Sequence, residues 1–117
     1  MTNLNVAIIE GRLVKDPEIR YTQEGTALCR FSLANNFSYT SQNEIQNKVN
    51  FIEITTFSRL AEICSEYLKK GNRVIVNGTL RQKKWQDRDG INHSRVCING
   101  EQVHFLDYKV NNECKEK

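Results

Sequence analysis

Arg81-Gln82-Lys83-Lys84-Trp85-Gln86-Asp87-Arg88-Asp89-Gly90 holds the only tryptophan of the chain, set behind three cations and ahead of an Asp-Gly pair. Asp-Gly between two strand-like runs, residues 74–80 and 96–98, predicts the tip of a β-hairpin. Such a tip faces solvent and gives an indole no core to enter. Trp85 therefore either folds back onto its own hairpin or a subunit interface, or offers its face to a nucleobase while the cations hold phosphates. The rest of the chain decides between these.

At 117 residues and 13.6 kDa the chain has room for one core. No apolar run approaches the length of a membrane span and no basic N-terminus leads into one, so a cytoplasmic protein with no membrane partner is expected. The net charge of +3 is unevenly spread. Residues 58–95 carry nine basic side chains against four acidic ones, whereas the remainder carries an excess of two acidic ones. That asymmetry suits either a polyanion-facing side or an ordinary solvated face. Cys29, Cys64, Cys97 and Cys114 show no Cys-x-x-Cys spacing and no neighbouring histidine pair, so neither a zinc site nor a disulfide framework is expected. The first three read as small core residues, and Cys114 as a free thiol in a polar tail.

Residues 4–14 predict a strand that bends or bulges at Gly11, and Asp16-Pro17 ends it. Residues 27–34 alternate, with Ala27, Cys29, Phe31 and Leu33 on one face, which marks a half-buried strand. Residues 35–48 are polar and read as a long loop, although they carry Phe37 and Tyr39. In residues 49–57 the two-residue period puts Ile52, Ile54 and Thr56 on one face, opposite Phe51, Glu53, Thr55 and Phe57. Glu53 marks its own face as the wetter one, which leaves Phe51 and Phe57 as an exposed aromatic platform unless a helix or subunit covers them. Ser58 then predicts the N-cap of a helix over residues 59–70, with Leu60, Ile63, Cys64, Tyr67 and Leu68 as its buried stripe. Lys69 and Lys70 fall in its last turn and Gly71 at C′. Residues 73–81 and 94–106 complete the strands, with Gly78 and Gly100 as bend points.

Strand, strand, strand, helix, strand, strand is the order of an all-β OB-fold, a five-stranded, partly open Greek-key barrel with one helix between strands 3 and 4. Such barrels bind oligonucleotides on one face and through the loops joining strands 1–2 and 4–5. The predicted domain covers residues 1–108, followed by a short polar tail, 109–117.

The sequence also resembles the bacterial single-stranded DNA-binding protein family over about residues 4–106. The motifs are Gly11-Arg12-Leu13, Lys15-Asp16-Pro17-Glu18-Ile19-Arg20-Tyr21, Phe31-Ser32-Leu33-Ala34, Phe57-Ser58-Arg59-Leu60-Ala61-Glu62, Tyr67-Leu68-Lys69-Lys70-Gly71 and Lys83-Lys84-Trp85. The resemblance assigns base stacking to Tyr39, Phe51, Phe57 and Trp85, and phosphate contact to Arg59, Lys69, Lys70, Arg81, Lys83 and Lys84. Two of the family's usual tryptophans are here Tyr39 and Phe51, which reduces stacking area. It further implies a homotetramer that wraps single-stranded DNA and protects it in replication, recombination and repair, with residues 4–13 helping to build a dimer interface. Residues 107–117 have neither the family's Gly/Gln/Pro-rich linker nor its acidic tip, so recruitment of replication and repair proteins by that route is not expected. His93 stands where the family often has a basic or aromatic residue, and is expected to make a weaker phosphate contact.

Bases stacked on aromatics and cations tracking phosphates give sequence-independent, salt-sensitive binding, since nothing in the set reads base-pairing edges. No cofactor and no catalysis are expected, because His93 and His104 have no convincing partner in sequence. The alternatives are a dimeric replication-restart primosome protein of the same fold, or an RNA-binding module.

Overall fold

The computed structural model describes residues 3–106. In chain order these form β1 (Ala7–Leu13), β2 (Glu18–Tyr21), β3 (Ala27–Ser41), β4 (Glu44–Phe57), α1 (Ser58–Tyr67), β5 (Arg73–Gln86) and β6 (Asn92–Phe105). The sheet order is β1-β5-β6-β4-β3-β2, and a further pairing of β1 with β3 closes five strands into a barrel, with β2 as a short flap on β3. All pairings are antiparallel except β4 with β6. This is the predicted OB-fold. The predicted domain boundary at 108, the tail and Cys114 lie outside the described residues.

The alternation read in residues 27–34 holds: Ala27, Cys29, Phe31 and Leu33 are buried, joined by Ile54, Val74, Val76 and Ile98 from the facing strands. α1 packs against β3 and β4 through Ala61, Cys64 and, just past its end, Leu68. Tyr67, expected in that stripe, is exposed instead.

Gly11 does not sit at a bulge; β1 pairs with β5 in unbroken register from Ala7 to Arg12. The glycine is there because a Cβ would lie 2.8 Å from the carbonyl oxygen of Ala34, where β1 crosses from β5 onto β3. The real irregularity lies between β5 and β6, where the register shifts at Asn77/Gly78 so that Gly78 faces Gly100. Both glycines are thus the bend points their positions suggested.

Residues 35–48 are not a loop. β3 and β4 run on as a paired ribbon to Ser41 and Glu44, joined by the two-residue turn Gln42-Asn43. Both turn residues have positive φ, 53° and 68°, as a type I′ hairpin requires. The ribbon extends past the barrel with water on both sides. Its composition is accordingly mostly polar, with Phe37, Tyr39, Ile45 and Val49 left exposed rather than buried on one face, and the period-2 signal of a half-buried strand disappears.

The helix also differs from expectation. Ser58 makes no side-chain cap and is itself the first helical residue, at φ 58°. α1 ends at Tyr67 because Leu68 turns extended to bury its side chain. Lys69 and Lys70 therefore lie in the following turn rather than in the last turn of the helix. There the Lys69 amide donates to Asn72 Oδ1 and the Lys70 amide to Asp16 Oδ1, each at 2.8 Å. Gly71, at φ 92°, donates to the carbonyl of Leu13 at 2.9 Å, which ties the turn to β1.

Candidate nucleic-acid interface

The outer face of β4 carries Phe51, Glu53, Thr55 and Phe57 in alternation. Phe51 is 65% exposed and Phe57 42% exposed. Phe51 stays uncovered because its neighbour on β3 is the small Ala34. On β5 the positions opposite Cys97, Arg95 and His93 are Arg81, Lys83 and Trp85, which share one strand face. Cys97 lies in turn beside Glu53. The register therefore joins Arg81, Lys83 and Trp85 to the Phe51–Phe57 face.

Glu53 is not the wet residue its charge suggested. Its side chain is only 13% exposed and sits under three cations, two from the flanking strands β3 and β6 and one from β5 beyond β6. Lys83 Nζ lies 3.4 Å away, Arg30 Nη1 3.7 Å and Arg95 Nη2 3.2 Å. Arg30 and Arg95 thereby join the face. Arg30 was legible as an outward position of the 27–34 strand, and Arg95 only once the hairpin register was known.

Trp85 is 46% exposed and does not fold into a core. One partner is the His93 ring, stacked at 5.3 Å between centroids and 16° from parallel, and the Arg95 guanidinium lies 5.7 Å from the indole centroid. His93 Nε2 is 2.8 Å from Asp87 Oδ2. Asp87 also accepts the amides of Asp89 and Ile91 on Oδ1, each at 2.9 Å, and so closes the hairpin tip. Those hydrogen bonds, His93 first, hold the Asp87 carboxyl below the usual carboxylate range. His93 thus orients the indole from behind rather than standing free for a phosphate.

The remaining expected residues are dispersed. Tyr39 lies on the β3–β4 ribbon, opposite Gln46, on the face that continues the barrel interior rather than the Phe51 face. It stacks on Phe37 at 6.3 Å, a pairing that a loop assignment for these residues could not anticipate. Together they offer a second exposed aromatic surface, beside an open cavity of about 650 Å³ lined by Phe37, Asn47, Lys48 and Val49. Lys84 sits on the opposite strand face from Lys83. Arg59 is highly exposed at the start of α1, 3.8 Å from Glu62. Lys69 and Lys70 lie at the other end of that ten-residue helix, about 15 Å away by helical rise. Among the described residues no group of three or more His, Cys, Asp or Glu side chains could hold a metal ion.

Residues 4–106 match the model of the single-strand binding protein family. The chain belongs to that family. Among its relatives, the single-stranded DNA-binding protein of Treponema pallidum is 41% identical over 106 residues, covering 91% of this chain and 60% of that protein. The protein of the same description from Helicobacter hepaticus is 38% identical, covering 90% and 62%. That from Caldanaerobacter subterraneus is 41% identical, covering 91% and 70%. The chain thus spans about three-fifths of the first two relatives' length. Among solved structures, the Plasmodium falciparum SSB in complex with ssDNA superposes with a TM-score of 0.87 at 27% identity, over 92% of this chain and 98% of that one.

Proposed function

We propose that this single-strand binding family member binds single-stranded DNA without catalysis and with little regard to sequence, shielding it during replication, recombination and repair. The observation that carries this is the outer sheet face, where exposed Phe51, Phe57 and Trp85 lie beside Arg81 and Lys83. A single strand presents every base as a π-surface and every phosphate as a charge, whereas a duplex hides its base faces. Phe51, Phe57 and Trp85 stack bases, and Tyr39 extends the path onto the ribbon. Arg81 and Lys83 meet phosphates along that face, and a strand that wraps beyond it meets Lys84, Arg59, Lys69 and Lys70. Support also comes from the Plasmodium neighbour, which was solved as a complex with ssDNA.

A homotetramer belongs to the same reading. Leu4, Val6 and Ile8 alternate along one face at the start of the chain, and all three are well exposed. Asn5 between them is fixed by two hydrogen bonds to the Leu80 backbone, at 3.0 and 2.8 Å. An anchored segment leading into β1 that presents three aliphatic side chains to water suits a subunit interface. The domain proper takes in residues 1–108, and a cytoplasmic, nucleoid-associated protein fits this function.

Titration with oligo(dT) while Trp85 fluorescence is followed tests the binding. Strong quenching by the single strand but not by the matching duplex, weakening as salt rises, is expected. Equal quenching by both, or none, overturns the platform. Matched RNA oligomers as competitors separate DNA from RNA preference, and sedimentation mass separates a tetramer from a dimer.

A further inference from the structure

The Glu53 cluster has no place in a simple platform. A carboxylate in the middle of a phosphate-binding face repels the ligand, yet this one is the best-buried charge there. Four adjacent strands meet on it: β3 brings Arg30, β4 Glu53, β6 Arg95 and β5 Lys83. Lys83 and Arg30 approach one carboxylate oxygen of Glu53 and Arg95 the other, so both oxygens face a cation. All three cations are more exposed than Glu53, so they reach the surface while the anion stays beneath them.

We propose that Glu53 is an internal counter-anion of the strand-binding face: it holds Arg30, Lys83 and Arg95 in place, and a phosphate of the bound single strand competes with it for them. This rests on the binding reading above. A cation already paired within the protein gives less net neutralisation to an incoming phosphate, so it adds little to counterion release. Glu53 therefore makes binding weaker and less salt-dependent than a count of the face's cations implies. Its second effect is geometric. Without it, Arg30 keeps Glu18 at 3.8 Å, whereas Lys83 and Arg95 repel one another with no carboxylate between them, and Arg95 loses what holds it near Trp85.

The test is Glu53→Gln, which keeps the shape and removes the charge, measured by oligo(dT) titration across a salt series. One extra unit of effective charge steepens the slope of log K against log salt by about 0.7 for a single strand. The variant is expected to bind more tightly at low salt, with its advantage shrinking about threefold between 50 and 200 mM. An unchanged or shallower slope overturns the proposal, whatever the affinity. Wild type that fails to bind oligo(dT) at all removes the binding reading itself, whereas wild type that binds beside an unchanged variant slope removes only the counter-anion.

If Glu53→Gln does not fold, a comparison in the native background decides. Lys83→Gln is expected to reduce the salt slope less than Arg81→Gln, because Arg81 shares the face but has no carboxylate partner among the described residues. Equal reductions overturn the proposal.

Discussion

The imidazole of His93 backs the indole of Trp85 at 5.3 Å, nearly parallel to it, and is itself held by Asp87 at 2.8 Å. An aromatic at a hairpin tip is ordinarily free to rotate. Here one ring partner fixes its plane while leaving it nearly half exposed, so little rotamer freedom remains to be lost on stacking a base. An aromatic pair contributes about 0.5–1.5 kcal/mol beyond its area. His93→Ala is expected to lower the fluorescence anisotropy of Trp85 and to weaken oligo(dT) binding by at most roughly tenfold. Unchanged anisotropy would show that His93 does not hold the indole.

Asp87 gives the tip a pH dependence. Its carboxyl is held low in the folded state, chiefly by His93 and then by the backbone amides of Ile91 and Asp89. A depressed folded value means that its contribution is fully present above the unfolded value of 3.8 and is lost as the pH falls through the lower folded one. Trp85 emission is expected to change as the pH falls below about 4, and Asp87→Asn to abolish that acid transition. A transition that survives Asp87→Asn belongs to another group.

Phe51 separates binding from folding. So exposed a side chain adds little to stability, so Phe51→Ala is expected to shift unfolding by no more than about 0.5 kcal/mol. Its effect on affinity is expected near 1–3 kcal/mol, a magnitude taken over from single-strand-binding OB-folds as a class. Parallel thermal melts and oligo(dT) titrations check both. A large loss of stability would mean that Phe51 packs against protein, as in a subunit interface.

Gly78 should be the least replaceable glycine. A Cβ there would overlap the carbonyl oxygen of Asn99, a backbone atom that cannot swing aside. Gly78→Ala is expected to cost at least about 1–3 kcal/mol, seen as a fall in melting temperature. Gly100→Ala meets only side-chain carbons at 3.1 Å and beyond, and is expected to cost less.

The core thiols are expected to be inert. Burial pushes Cys29 up to about 11 and Cys64 up to about 12, so neither forms thiolate near neutrality. Peptide mapping after alkylation should find both unmodified in the native protein and modified in denaturant. Rapid native modification of Cys64 would show that α1 opens readily.

Much of this is legible in the chain itself. Ala27, Cys29, Phe31 and Leu33 alternate against a core and declare their strand, and the motifs around Phe57 and Trp85 carry the family. What could not be read is instructive. The β3–β4 ribbon escaped because a two-sided wet strand has no hydrophobic period, and Gln42-Asn43 lacks the glycine that usually announces a type I′ turn. The helix end escaped because Leu68 satisfies the helical spacing and still leaves the helix to be buried. Glu53 misled because a carboxylate signals solvent unless its partners are known, and Arg30, Lys83 and Arg95 come from three other strands. Tertiary register alone brings them together.

The ribbon beyond Ala34 and Phe51 has its own consequence. Residues 36–48 are held by a backbone ladder and the Phe37–Tyr39 stack, with no core beneath them. A two-stranded ribbon in water is only marginally stable. Amide protons there will exchange well before those of residues 27–33, where β3 lines the barrel. The expected order of exchange makes the ribbon a soft lip on a stiffer frame, the part that would yield first to a strand laid along it.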